Sequence, residues 1–165
     1  MDVHRVTKES PEWMFKAYDY VRMDAFCFGQ NIPIDMEFGH DGPKEELRAV
    51  ILLEDHKPVA GCRIRFPKEG VGKIERVCTV REKQRAGYGR LLMAEAEKWI
   101  AEHGVKHIVI VSQDRAAGFY EKIGYVQNPG VSPFEYENHR PPKEIKDKPR
   151  PNLGFSVVLV EKFLP

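Results

Sequence analysis

The residues with the clearest chemical potential lie between Ile74 and Arg90, where a strand-like run gives way to Gln84, Arg85, Ala86, Gly87, Tyr88 and Gly89 just before a helical pattern. Two closely spaced glycines let main-chain N–H groups approach a ligand, and a helix start adds unpaired amides and a positive dipole end. A pyrophosphate fits such a nest. The same Gly-x-Gly would also serve merely to close a strand-to-helix turn, so residue types alone leave both readings open. No Lys-Ser or Lys-Thr follows Gly89, and the third glycine of a dinucleotide fingerprint is missing, which argues against nucleotide hydrolysis and NAD binding.

Other side chains could move protons or carry an acyl group. Glu75 is a carboxylate able to act as a base toward an amine, or else a charge paired with Arg76 or with solvent. Tyr120 could donate a proton, or pack as an aromatic beside Phe119. Cys78 stands in an apolar run with no histidine partner and reads as an inert thiol rather than a nucleophile. His40 and His139, in irregular segments, could face a substrate or serve as base, or be ordinary loop histidines. None of the six histidines stands at metal-ligand spacing with a cysteine, so no metal site is expected.

These residues must be positioned by a chain of 165 residues with 42% hydrophobic content, enough for one packed core and short for two, so residues 1–165 are expected to form one domain. Lys and Arg number 26 against 25 Asp and Glu, and a net charge of +1 offers no field to gather nucleic acid or an anionic membrane. Three cysteines, two in apolar runs, favour a reducing compartment. No apolar leader opens the chain and nowhere do 18 apolar residues run together, so a soluble, cytoplasmic protein is expected.

The period of the apolar residues supplies the elements. A short strand over 3–7 precedes a helix opened by Ser10 as N-cap and Pro11 at its first position, running to about Phe26. Residues 29–43 read as a long irregular loop, and 47–55 and 59–66 as a hairpin around Asp55-His56-Lys57-Pro58, joined by a third strand over 73–80. Strict alternation along that strand puts Glu75, Val77 and Thr79 on one face and Arg76, Cys78 and Val80 on the other, unless a bulge intervenes. Leu91, Leu92, Ala96, Trp99 and Ile100 recur at helical spacing until His103-Gly104. An apolar central strand follows over 105–111, then a helix over 115–123. Residues 128–154 hold six of the twelve prolines and read as an excursion, and 155–163 as the last strand.

Two segments in order carry a family resemblance. Gln84-x-x-Gly87-x-Gly89, after a strand and before a long helix, resembles the acetyl-CoA pyrophosphate loop of the GNAT superfamily. Residues 112–125 resemble its Asn-x-x-Ala-x-x-Phe-Tyr-x-x-x-Gly-Phe segment: Ala116, Phe119, Tyr120 and Gly124 fall on pattern, Gln113 replaces Asn and Tyr125 replaces Phe. Val21-Arg22, Ala25-Phe26, Gln30-Asn31, Pro33, Glu37 and Asp41 look like the ElaA-like branch. The resemblance covers about residues 18–127 and the last strand.

It implies an α/β fold: a mixed, mostly antiparallel central sheet of about six or seven strands with a V-shaped splay, flanked by helices. It implies an N-acetyltransferase that moves an acetyl group from acetyl-CoA to a primary amine of a small molecule or peptide by direct transfer in a ternary complex. The implied cofactor-binding residues are Val77, Cys78, Thr79, Gln84, Arg85, Ala86, Gly87, Tyr88, Gly89, Arg90, Gln113, Ala116, Phe119 and Tyr120. Amides around Val77 and Thr79 would hold the pantetheine arm, with that of Thr79 near the acetyl carbonyl to stabilise an oxyanion. Tyr120 would protonate the departing sulfur, with Glu75 as candidate base. The acceptor would sit between the 29–43 loop and the 128–154 excursion. The alternative is a noncatalytic CoA- or acyl-CoA-binding sensor on the same fold. Acetyl-CoA and an amine are thus the expected partners, without nucleic acid or membrane, and edge-strand pairing would allow a homodimer.

Overall fold

The computed structural model describes residues 1–39, 41–137 and 154–165. Seven strands form one open sheet: β1 (Asp2–Val6), β2 (Ala49–Glu54), β3 (Lys57–Lys68), β4 (Val71–Thr79), β5 (His107–Gln113), β6 (Val126–Gln127) and β7 (Val157–Phe163). Their order is β1-β2-β3-β4-β5-β7-β6, with every pairing antiparallel except β4–β5. The β2–β3 hairpin closes on Asp55 and His56, both left-handed at φ 51° and 63°, which matches the strand twist.

Four helices flank the sheet: α1 (Glu12–Arg22), α2 (Ile34–Phe38), α3 (Tyr88–Glu102) and α4 (Ala117–Lys122). Ser10 is not the cap of α1. Pro11, extended at ψ 153°, takes that position, and the Ser10 hydroxyl instead accepts the Thr7 amide at 2.9 Å. α1 passes into a π-helical stretch, Met23–Phe28, of the kind found where a helix is bent to function. The expected 29–43 loop is not wholly irregular: α2 forms there, beginning after Pro33 and burying Glu37. α4 is shorter than its apolar pattern suggested, because Asp114–Ala116 form a tight 3-10 turn first.

Each face of the sheet has its own cover. Val50, Leu52, Cys62, Ile64 and Ile74 pack with Leu92, Ala96 and Ile100 of α3, each large aliphatic chain contributing about 1.5–3 kcal/mol by burial. Gly72 seats α3, since a Cβ there would lie 2.8 Å from the Ile100 side chain. On the opposite face Ala49, Ile51 and Leu53 pack with Val6, Ala17 and Tyr18, and Val71, Val109 and Leu159 pack with Val131 and Tyr136.

Two irregularities in β4 matter for the site. Arg63 pairs with Glu75 but Gly61 with Cys78, so between those pairs Cys62 of β3 faces two residues of β4, Arg76 and Val77: a bulge, with Arg76 left-handed at φ 56°. The bulge overturns the strict alternation. Glu75 and Cys78 lie on the face covered by α1, whereas Thr79, opposite Ala60, lies on the face covered by α3. Just before the bulge, β4 also leaves β5: the two pair only over Val71, Gly72 and Lys73 against His107, Ile108 and Val109. The sheet splays there into the expected V. No described helix is long and apolar enough to cross a membrane.

Candidate functional site

The splay exposes the β5-facing edge of β4. The Val80 amide donates to the Val59 carbonyl at 2.9 Å, so the amide of Thr79, one residue earlier, turns away from β3 and toward the open V. Gln84 caps this edge by donating from its side-chain amide to the Thr79 carbonyl at 3.3 Å. The chain from Gln84 to Gly87 is exposed and includes two left-handed residues, Arg85 at φ 67° and Gly87 at φ 89°. Gly87 caps α3, so the exposed turn delivers its amides beside the helix's positive end. Arg90, in the first turn of α3, is exposed.

The two glycines of this turn serve different purposes. Gly87 has open space around it and is there for its backbone angle. At Gly89 a Cβ would lie 2.9 Å from the Phe119 ring, so the close approach of α4 calls for glycine here. The turn is braced on two further sides. The buried Tyr88 donates its hydroxyl to Glu54, which also receives Lys83 at 3.2 Å. Asp24 of the π-helical stretch accepts the Arg81 amide at 2.8 Å and its guanidinium at 3.1 Å. Against its desolvation, these bonds hold the Asp24 carboxyl below its usual range.

At the end of β5, Gln113 donates to the side-chain oxygen of Gln30 at 2.8 Å and accepts from Arg115 at 2.8 Å, while Arg115 also reaches Gln30 at 2.8 Å. This triad ties the rim of the V to the chain after α1. Ala116 and Phe119 pack against the main core cluster, in which Tyr120 is buried together with Cys62, Cys78 and Val80. The Tyr120 ring meets Phe119 and Tyr125 edge-on, with centroids 5.1 and 5.9 Å apart. Tyr125 commits its hydroxyl to Glu97 at 2.8 Å, whereas that of Tyr120 bonds to no described residue. Burial pushes the Tyr120 phenol well above its usual range, with the neighbouring thiols Cys62 and Cys78 adding to the effect, so it keeps its proton at neutral pH. Burial likewise pushes the Cys78 thiol up, which leaves it a poor nucleophile.

A network of buried charge lies on the other face. Arg22 pairs with Glu37 at 2.8 Å and with Asp41 at 2.7 Å; Arg63 reaches Asp41 at 2.8 Å and Glu75 at 3.0 Å. Glu75 also receives Arg65 at 2.7 Å and Lys73 at 3.0 Å, and Arg76 meets Glu37 at 3.1 Å. Desolvation opposes ionisation of Glu75, but Arg63, Lys73 and Arg65 outweigh it and hold its carboxyl well below the usual range. A carboxylate stabilised in this way is a poor proton acceptor. Arg22, Glu37 and Asp41 stood out in the sequence, but Arg63, Arg65 and Lys73 did not. Their signal was an Arg-x-Arg and a Lys-x-Glu at strand period inside otherwise apolar runs. His40 and His139 lie outside the described residues.

An open V in a mixed sheet, with an inward-turned amide and an exposed glycine turn at the head of the following helix, defines a class of acyl-transfer fold. The profile of the acetyltransferase (GNAT) family matches residues 7–125, and the chain belongs to that family. It is 35% identical over 106 residues to the uncharacterized N-acetyltransferase YjcF of Bacillus subtilis (strain 168), covering 64% of this chain and 74% of that one. Its fold is similar to that of Escherichia coli ElaA, with a TM-score of 0.71 at 17% identity over 98% of both chains. It is also similar to N-acetylglutamate synthase from Neisseria gonorrhoeae, solved with coenzyme A and N-acetyl-glutamate, with a TM-score of 0.65 at 15% identity over 100% of this chain and 36% of that one.

Proposed function

We propose that residues 1–165 form one cytoplasmic N-acetyltransferase domain that moves an acetyl group from acetyl-CoA directly to a primary amine. One observation carries this: the Thr79 amide faces the β4–β5 splay, immediately before an exposed turn of main-chain donors at Gln84–Gly87. Those donors suit a pyrophosphate, and the unpaired edge around Val77 and Thr79 suits the amide-bearing pantetheine arm. Bound acetyl-CoA supplies the activated thioester.

The chain's own residues do the rest. The Thr79 amide donates to the carbonyl oxygen as negative charge grows on it, a fixed dipole that needs no reorganisation. The Tyr120 hydroxyl, protonated and uncommitted, delivers a proton to the sulfur as the C–S bond breaks and the C–N bond forms. The attacking amine loses one proton in exchange. Glu75, held as an anion by three cations, is unsuited to take it, and we assign that proton to water, from which the Tyr120 phenolate regains the proton it gave.

Release of free thiol from acetyl-CoA should depend on an added amine from a panel of amino acids, polyamines, aminoglycosides and peptides. Tyr120→Phe should lower kcat by roughly 10²–10⁴, the size of a general acid's contribution, with KM for acetyl-CoA nearly unchanged. The commitment of Gln113 to Gln30 and Arg115 leaves a second reading, a noncatalytic CoA-binding sensor, which would show CoA-induced thermal stabilisation and no turnover with any amine.

A further inference from the structure

Acetyl transfer at the V leaves unused the charge gathered on the sheet's other face. Among the described residues Arg22, Arg63, Arg65, Lys73 and Arg76 gather around Glu37, Asp41 and Glu75, with Asp19 a further 3.9 Å from Arg22. Each of the first three carboxylates is shared: Glu75 among three cations, Asp41 between Arg22 and Arg63, Glu37 between Arg22 and Arg76. Buried cationic donors are costly unless something answers them, and the buried Nε of Arg76 has no hydrogen-bond partner, so it is a donor that an incoming anion completes.

A second, independent observation points the same way. Tyr18, 3% exposed, lies with its ring 4.9 Å from the Arg22 guanidinium, and its buried hydroxyl has no hydrogen-bond partner. Buried polar groups are almost always satisfied, and an orphan hydroxyl beside a cation cluster is a donor waiting for an acceptor. The cluster also opens where an acceptor must arrive. The Arg76 and Asp41 side chains keep 26% and 39% of their exposure. Arg76 sits in the bulge, three residues or roughly 10 Å along the strand from Thr79.

The geometry points to an anion subsite in which Tyr18 and Arg76 receive a carboxylate carried by the acceptor, making that acceptor an amino acid or a similar small amino-carboxylate. The inference rests on the N-acetyltransferase reading and narrows its substrate class. A guanidinium fork prefers a planar carboxylate, and the phenol adds one neutral donor.

Thiol release from acetyl-CoA, measured with matched sets of an amino acid, its carboxamide and its decarboxylated amine, tests the subsite. The carboxylate member should have a KM at least tenfold below its partners at similar kcat. Tyr18→Phe should raise that KM about tenfold, leave the carboxamide's KM unchanged and leave Tm no lower, because the hydroxyl it removes bonds to nothing in the free protein; a purely structural role would lower Tm instead. Arg76→Gln should raise the same KM without moving KM for acetyl-CoA. Equal KM values across each set would overturn the subsite and leave acetyl transfer standing. Should no amine be acetylated, the enzymatic reading fails, and the subsite is judged by amino acids alone: a Tm rise in the wild type that Tyr18→Phe abolishes sustains it, and no rise in the wild type overturns it.

Discussion

Glu75 is the residue whose chemistry its neighbours change most. A carboxylate at a strand end beside a reacting edge invites the role of base, but Arg63, Arg65 and Lys73 at 3.0, 2.7 and 3.0 Å make it an obligatory anion. Its removal would leave buried cations unanswered, and loss of one partner from a buried pair typically costs about 3–5 kcal/mol. Glu75→Gln should therefore lower stability by that order in urea titration, with any fall in kcat tracking the loss of folded protein. The pH dependence has a definite sign. The folded-state carboxyl is held below its usual 4.5, so its stabilisation is present above that pH and fades as pH falls below it. Thermal melts between pH 6 and pH 3 should show the wild type losing Tm more steeply than Glu75→Gln.

At the scale of elements, the glycine turn depends on α4 as much as on β4. A Gly→Ala change inside a helix normally stabilises by up to about 1 kcal/mol, yet at Gly89 the new Cβ would press on Phe119 at 2.9 Å. The clash should win, and Gly89→Ala should lose roughly 1–3 kcal/mol and weaken CoA binding, with both recovered in part by Phe119→Leu in a double-mutant cycle. Asp24 fastens the opposite side of the turn through two bonds to Arg81. Asp24→Ala should raise KM for acetyl-CoA several-fold while leaving the amine's KM nearly unmoved, since the bond positions the turn and not the acceptor face. Gln84 and the Gln30–Gln113–Arg115 triad show a similar economy. Gln84 bonds to the Thr79 carbonyl, and Gln113 and Arg115 bond to Gln30, so these side chains link the turn and the rim of the V to their neighbours.

For the whole molecule, a ligand that binds only the folded chain stabilises it by about 2.7 kcal/mol at a hundred times its Kd. CoA should raise Tm accordingly, and because a noncatalytic relative would respond in the same way, the amine-dependent turnover is what separates the two. Period and turn chemistry made most of the architecture readable. The β-branched-rich runs 47–55 and 59–66 around Asp55-His56-Lys57-Pro58 specified a hairpin, and the 3.6-residue recurrence of Leu92, Ala96, Trp99 and Ile100 specified the helix that covers it. The order Gln84-x-x-Gly87-x-Gly89 marked the turn because a backbone that goes left-handed at a helix start requires glycine, a local demand that local sequence can express. What the chain alone left undecided were relations between distant residues. Strict alternation would have put Glu75 and Thr79 on one face, and only the pairing of β4 with β3 revealed the extra residue that separates them. Arg63, Arg65 and Lys73 did not stand out in the sequence, and only the sheet gathers them around one carboxylate. Bulges and buried charge pairs are fixed by which strand lies alongside, a matter of tertiary packing that no window of sequence contains.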